Sequence, residues 1–348
     1  MKRKNRIFLL RGLAFLLLLA ATLVPVTQIF ARKSLEKPWD MRNKVGGFYN
    51  EPEDEFQVMF FGSSHAYASF SPLALWDSTG VKSYVFATQL QPLWATYAYL
   101  QEALKTQSPS LVVVECYMTA DREDYKADGV NYSFMDELPL SVNKIRLAQA
   151  SAPTWQGQLA LLWNFPKYHT RWSELTAQDL ALDRGKLADP YRGFVLLPKR
   201  DGFVPTRTDT SDVTEAEELT EKNALYLQKI MSLCAEKGIA LWLCKSPSNT
   251  TEQERAVLLR VQQMAQENGV PFDDFNLCYE EIGIDAATDF YDERHMNGSG
   301  ADKFTRWFAA LMQQRYPELA ADPEDAAWRE AYAGYAETIE AQRSGDGT

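Results

Sequence analysis

The sequence predicts an α/β protein of three layers, α/β/α, built on a parallel sheet, with an apolar N-terminal helix and an irregular insertion. Three observations predict it. Short apolar runs alternate with amphipathic helical stripes on either side of residues 118–213, the pattern of a sheet covered by helices on both faces. Leu111–Tyr117 (LVVVECY) is continuous, β-branched and bounded by turn residues, as a strand buried on both faces must be. Residues 118–213 break the alternation with a long, aromatic-rich stretch. It reads as an insertion between the third and fourth strands of one domain; a separate second domain is the alternative.

The elements follow in chain order. Lys2, Arg3, Lys4 and Arg6 precede Gly12–Phe30, an apolar run without a charge. Its length of about 19 residues is close to the ~20 that span a bilayer. A cleaved signal peptide has a shorter apolar region and small residues at its cleavage site, which Ile-Phe-Ala before Arg32 matches poorly. Residues 1–31 are therefore expected to be a cytoplasmic tip and an uncleaved transmembrane signal anchor. The expected location is the cell membrane, single-pass, with the remaining chain extracytoplasmic, although Arg32, Lys33 and Lys37 dilute the charge asymmetry that sets orientation.

Residues 32–55 are polar and contain proline, and are expected to form a stalk. Within the body, 56–316, Gln57–Phe61 is the first strand and Ser71–Gly80 a short helix ending at glycine. Ser83–Ala87 is the second strand, Leu93–Thr106 a helix, and Leu111–Tyr117 the third strand. Beyond the insertion, Leu227, Ile230, Met231 and Cys234 form an apolar stripe ending at Gly238. Ile239–Cys244 is a strand, Gln253–Asn268 a helix and Val270–Asp273 a short strand. Phe304, Trp307, Phe308, Leu311 and Met312 mark the last helix of the body. The tail, 317–348, carries Trp328, Tyr332, Tyr335 and Ile339 on one helical face, expected to pack against the body.

With 46% hydrophobic residues in 348, the chain can bury a real core. Its net charge of -11 repels nucleic acid in bulk, so no nucleic-acid partner is expected. The four cysteines, Cys116, Cys234, Cys244 and Cys278, form no CxxC or other ligand spacing. No metal and no cofactor are expected. Cys116, Cys234 and Cys244 fall on apolar strands or faces and read as buried free thiols, with a disulfide as the alternative.

Two segments carry candidate chemistry. In Phe60-Phe61-Gly62-Ser63-Ser64-His65 an apolar strand runs through Gly-Ser-Ser into a helix start. Ligands of parallel α/β sheets bind at the carboxyl ends of strands, and N–H groups of a helix start can stabilise an oxyanion. The plainer reading is a turn with an N-cap. In Asp289–Gly300, Asp292 and His295 lie three apart before a glycine-rich helix start. A carboxylate so placed can accept the Nδ1 proton and orient the ring; the plainer reading is an acidic loop. A serine nucleophile needs a base and the base an orienting carboxylate. The chain has only three histidines, and one follows the serine while another completes DxxH.

Gly62-x-Ser64 after the first strand and Asp292-x-x-His295 before the last body helix resemble the two signature blocks of the SGNH/GDSL hydrolase superfamily. The resemblance covers roughly Gln57 to Gln314, and is nearest to the membrane-anchored SGNH-like proteins with a GSSH block, which are related to cell-surface polymer acyltransferases. It implies an SGNH/flavodoxin-like fold and serine-dependent acyl transfer or ester hydrolysis on an envelope glycan or polymer. Ser64 is then the nucleophile, His295 the base and Asp292 the orienting carboxylate. A multispanning membrane-bound O-acyltransferase is the implied partner. The family's oxyanion glycine and asparagine have no counterpart in Phe86–Gln91 or in Glu115-Cys116-Tyr117. Gly62, Ser63, Gln89 and Gln91 are the candidate substitutes, and His65, His169 and Arg171 the candidate substrate contacts. An ion pair with an insertion carboxylate is the other reading for Arg171. The alternative function is a catalytically weak or inactive relative that binds glycan or scaffolds an envelope acylation complex.

Overall fold

In a computed structural model, residues 3–30, 41–163, 167–176, 179–180, 189–199 and 202–344 are described. Five strands pair in parallel: β1 (Val58–Phe61), β2 (Ser83–Val85), β3 (Leu111–Glu115), β4 (Ala240–Lys245) and β5 (Phe272–Asp274). Their spatial order is β2-β1-β3-β4-β5, and β1 and β3 lie in register from Val58↔Leu111 to Phe61↔Val114. Every residue of β1, β2 and β3 is buried, because helices cover both faces. Successive strand side chains point oppositely. Phe60 stacks on Phe70 at 4.5 Å and meets Phe308, while Phe61 faces Phe86, which contacts Tyr99.

The helices follow the sequence pattern. After α1 (Arg3–Phe30) come α2 (Ser64–Tyr67), α3 (Pro72–Thr79) and α4 (Leu93–Ala103). In the insertion lie α5 (Asp128–Met135), α6 (Val142–Ser151) and α7 (Trp155–Leu162). The remainder are α8 (Glu221–Lys237), α9 (Glu252–Glu267), α10 (Tyr279–Ile282), α11 (Gly298–Arg315) and α12 (Ala326–Ser344). Thr251 and Glu254 form a reciprocal capping box on α9. Gly238 ends α8 at φ +68°, a conformation glycine adopts without strain. α1 is long and apolar enough over Asn5–Thr27 to cross a membrane, and among the described residues none buries that stretch.

Two expectations are corrected. The stalk, where it is described, is no free stalk: 41–48 packs on the body. Met41, Val45 and Phe48 are core residues, and Phe48 stacks on Phe86 at 4.2 Å. Lys44 anchors the segment by pairing with buried Asp189 at 3.2 Å and donating to the Phe194 carbonyl at 2.7 Å. Residues 32–40 lie outside the described residues. The insertion is less irregular than expected, because short helices form where Ser141 and Thr154 supply N-caps to α6 and α7. Its return segment, 189–199, runs back along β2, where Arg192 O accepts from Val85 N–H. α11 starts at Gly298, within the glycine-rich segment that the sequence marks as a helix start, and Asn297 caps it by accepting from the Gly300 N–H at 3.0 Å. The four cysteines are free thiols.

Candidate active site

β1 ends at Gly62, whose φ of +146° turns the chain sharply into α2. A Cβ there would lie 3.0 Å from both Cβ and O of Glu115 at the end of β3, so only glycine fits without displacement. Ser63 caps α2, its Oγ accepting from the His65 N–H. Ser64 opens α2 at the carboxyl edge of the sheet and is largely buried.

The second segment is a closed loop. Phe290 and Met296 bridge, and Tyr291 N–H donates to His295 O at 2.9 Å. Asn297 Nδ2 donates to the Thr288 carbonyl at 2.7 Å. The base of the loop is crowded: a Cβ on Gly300 would fall 2.2 Å from Asp289 O. At its tip, Asp292 Oδ1 accepts from the backbone N–H groups of Arg294 at 2.8 Å and His295 at 2.9 Å. His295 Nδ1 lies 2.9 Å from Asp292 Oδ1 and 3.0 Å from Oδ2. His295 Nε2 lies 2.8 Å from Ser64 Oγ. An ionised carboxylate only accepts, so Nδ1 carries the proton and Nε2 is left to accept from Ser64 Oγ–H. Partial burial raises the Asp292 pKa, but the hydrogen bond and charge of His295 and the two N–H groups outweigh it, and the net shift is downward. The carboxylate is thus ionised at neutral pH.

A cleft of about 440 Å³ opens over this chain of groups, lined by Ser64, Tyr67, Gln89, Leu90, Leu197, Tyr291, Asp292 and His295. That size suits a small ligand group. Leu90 holds φ +47°, a conformation costly for a residue with a Cβ. Tyr67 lies one helical turn from Ser64 and interacts with its side chain; burial foremost keeps the Tyr67 phenol protonated, its pKa raised. The return segment reaches the cleft through Leu197, held where Val195 N–H donates to Tyr67 O at 2.7 Å and Gly298 N–H to Leu197 O at 2.9 Å.

Beneath the serine lies a buried polar network. Lys245 ends β4 and Glu115 ends β3, both almost fully buried and 3.3 Å apart. Lys245 Nζ also donates to Ser246 O at 2.7 Å and Ser248 Oγ at 2.9 Å. It lies 3.3 Å from His65 Nδ1. An ammonium only donates, so His65 Nδ1 accepts and its ring is neutral. Burial foremost, then the positive charge of Lys245, holds the His65 pKa well below its ordinary value. The ring stacks on Tyr117 at 3.7 Å.

Of the sequence candidates, Ser64, His295, Asp292 and Gln89 meet at the cleft. The others are corrected. Gly62 and Ser63 shape the turn into α2 and do not line it. His65 turns inward to Lys245. Gln91 is buried, donating to Thr96 Oγ1 at 3.1 Å and accepting from Thr88 Oγ1 at 3.0 Å. His169 and Arg171 are not among the lining residues; Arg171 pairs with Asp179 at 3.3 Å within the insertion and donates to the Phe30 carbonyl. The sequence reading missed Tyr67, Leu90, Tyr291 and Leu197. Tyr67 shares a helix face with Ser64 at i, i+3 and Tyr291 adjoins Asp292, so spacing held a signal for both. Leu197 had none.

The fold and site define an α/β protein with a hydroxyl, imidazole and carboxylate aligned in a cleft at the carboxyl edge of a parallel sheet. No known protein family matches the chain, and no curated protein does. Among solved structures, a gut microbial diltiazem-metabolizing enzyme is similar to it at 13% identity and a TM-score of 0.32. The similarity covers 76% of this chain and 48% of that one, so the chain spans about half the length of that enzyme.

Proposed function

We propose that the protein is a serine-dependent acyltransferase or esterase of SGNH/GDSL type, anchored in the cell membrane by α1 and acting outside the cytoplasm on an envelope glycan or polymer. One observation carries this reading: Ser64 Oγ lies 2.8 Å from His295 Nε2 while Nδ1 meets Asp292. Ser64 Oγ attacks an acyl carbonyl as His295 Nε2 takes its proton. The tetrahedral oxyanion collapses, the leaving alcohol takes that proton from His295, and the acyl group stays on Ser64. An acceptor hydroxyl, of a glycan or of water, then attacks the acyl carbon as His295 takes its proton; the bond to Ser64 breaks, His295 returns that proton to Ser64 Oγ, and the acceptor carries the acyl group away. The first backbone N–H of α2, at Ser64, has no partner inside its helix, and with the Gln89 side chain it is the available oxyanion donor. A multispanning O-acyltransferase is the proposed source of the acyl group. The apolar span Asn5–Thr27 supports the anchoring.

The test is a fluorophosphonate probe on the full-length protein. Labelling is expected for the wild type and lost in Ser64→Ala and His295→Ala variants that remain folded by circular dichroism. Labelling that persists in Ser64→Ala, or an unlabelled wild type, defeats the proposal.

A further inference from the structure

α7 turns an uncharged face to the outside. Trp155 and Leu159, one turn apart, are 66% and 55% exposed, and Trp163, just past the end of the helix, is 46% exposed, while Leu161 on the opposite side of α7 is buried. In the short 3-10 turn His169–Ser173 that follows, Trp172 is 72% exposed. A soluble surface seldom presents such a set of large apolar side chains without something to meet them.

A second, independent contact says what that is. Arg171 Nη1 donates to the carbonyl of Phe30 at 2.9 Å, and Phe30 is the last residue of α1. The uncharged run Gly12–Phe30 ends at that residue, and the candidate span Asn5–Thr27 ends three residues earlier. At 1.5 Å of rise per residue, Phe30 stands between the edge of the hydrocarbon and about 4.5 Å beyond it. The headgroup zone extends about 5–8 Å beyond the hydrocarbon on each side. A turn hydrogen-bonded to Phe30 therefore sits at headgroup depth whenever α1 crosses a bilayer, with Trp172 beside it. Tryptophan is enriched at that depth because its ring is apolar and its indole N–H is polar.

We propose that α7 and the turn His169–Ser173 rest on the lipid surface next to the exit of α1, with Trp155, Leu159, Trp163 and Trp172 in the interface. This rests on the reading that α1 spans the membrane. The contact is apolar: α7 has no basic residue, and the one arginine of the turn, Arg171, is paired with Asp179 at 3.3 Å, so with a net charge of -11 the chain is not drawn to anionic lipid. It ties to the bilayer the same insertion whose return segment places Leu197 in the cleft.

The experiment uses the full-length chain, with Cys278→Ser to remove the half-exposed native thiol, in phosphatidylcholine vesicles carrying a nitroxide-labelled lipid. An environment-sensitive fluorophore is placed in turn at Leu159→Cys, at Leu16→Cys within α1, and at Leu277→Cys on the body. The labels at 16 and 159 are expected to be blue-shifted and quenched severalfold more than the label at 277, with little change on adding salt. A quenched label at 16 with a label at 159 no more quenched than that at 277 leaves the span intact and overturns the docking; the α7 face then serves another protein or water. An unquenched label at 16 sinks the span and the docking together.

Discussion

A serine hydroxyl attacks a carbonyl only if its proton has somewhere to go, and at Ser64 that place is His295 Nε2. What keeps Nε2 free of a proton is the acceptor-only carboxylate of Asp292 on the other nitrogen. Asp292→Asn tests this with little change of shape, because the amide oxygen can still accept the N–H groups of Arg294 and His295 that fix the loop. The amide nitrogen, however, donates to Nδ1 and drives the proton onto Nε2. A loss of roughly 10⁴-fold in kcat, with KM little changed, is expected, measured on an activated acyl ester. A kcat within a few-fold of wild type would mean that His295 does not work through Asp292. The pair was legible because its two members stand three apart in one loop. The role of His65 was not: its partner Lys245 lies 180 positions away, and nothing local marks an imidazole that a buried ammonium will claim.

At the scale of elements, the site depends on strand ends that nearly touch. Gly62 passes so close to Glu115 that a Cβ would meet both its side chain and its carbonyl, at a φ of +146° that a Cβ also strains. Gly62→Ala is expected to cost about 1–3 kcal/mol, read as a lower melting temperature, and to lower Ser64 labelling by displacing α2. An unchanged melting temperature and full labelling would show that the turn is not held as tightly as its contacts imply. Strands and helices were legible wherever one period ruled a segment, as in the unbroken Leu111–Val114 run or the α8 stripe ending at Gly238. Residues 41–48 were read as stalk because charge and glycine mask their few apolar side chains. Buried Lys44 becomes tolerable only once Asp189, from the far end of the insertion, lies against it. The insertion helices α5 to α7 are too short for periodicity to outweigh their polar and aromatic neighbours, although the caps Ser141 and Thr154 were visible.

Across the whole molecule, α12 joins parts that are distant in the chain. Trp328, almost fully buried, donates from its indole to Glu55 at 2.9 Å, just ahead of β1, and packs near Phe56 and Trp76. Lys82, at the start of β2, gathers Glu55, Asp322 and Asp325. Tyr335 donates to Asp302 of α11 at 3.1 Å, and Gln342 Nε2 to the carbonyl of Leu197 at 3.1 Å. The stripe Trp328, Tyr332, Tyr335 and Ile339 announced an inward face; which elements it would meet depended on a return of the chain that no local pattern encodes. Trp328→Ala removes the largest side chain of that face and leaves a cavity between α3 and the entry to β1. A destabilisation of about 3–5 kcal/mol is expected, measured by denaturant unfolding. The folded fraction should keep wild-type labelling at Ser64, because Trp328 is not among the residues lining the cleft. A loss of labelling at unchanged stability would instead connect α12 to the chemistry through Gln342 and Leu197. Stability within about 0.5 kcal/mol of wild type, the range of ordinary surface substitutions, would make the tail an appendage rather than part of the fold.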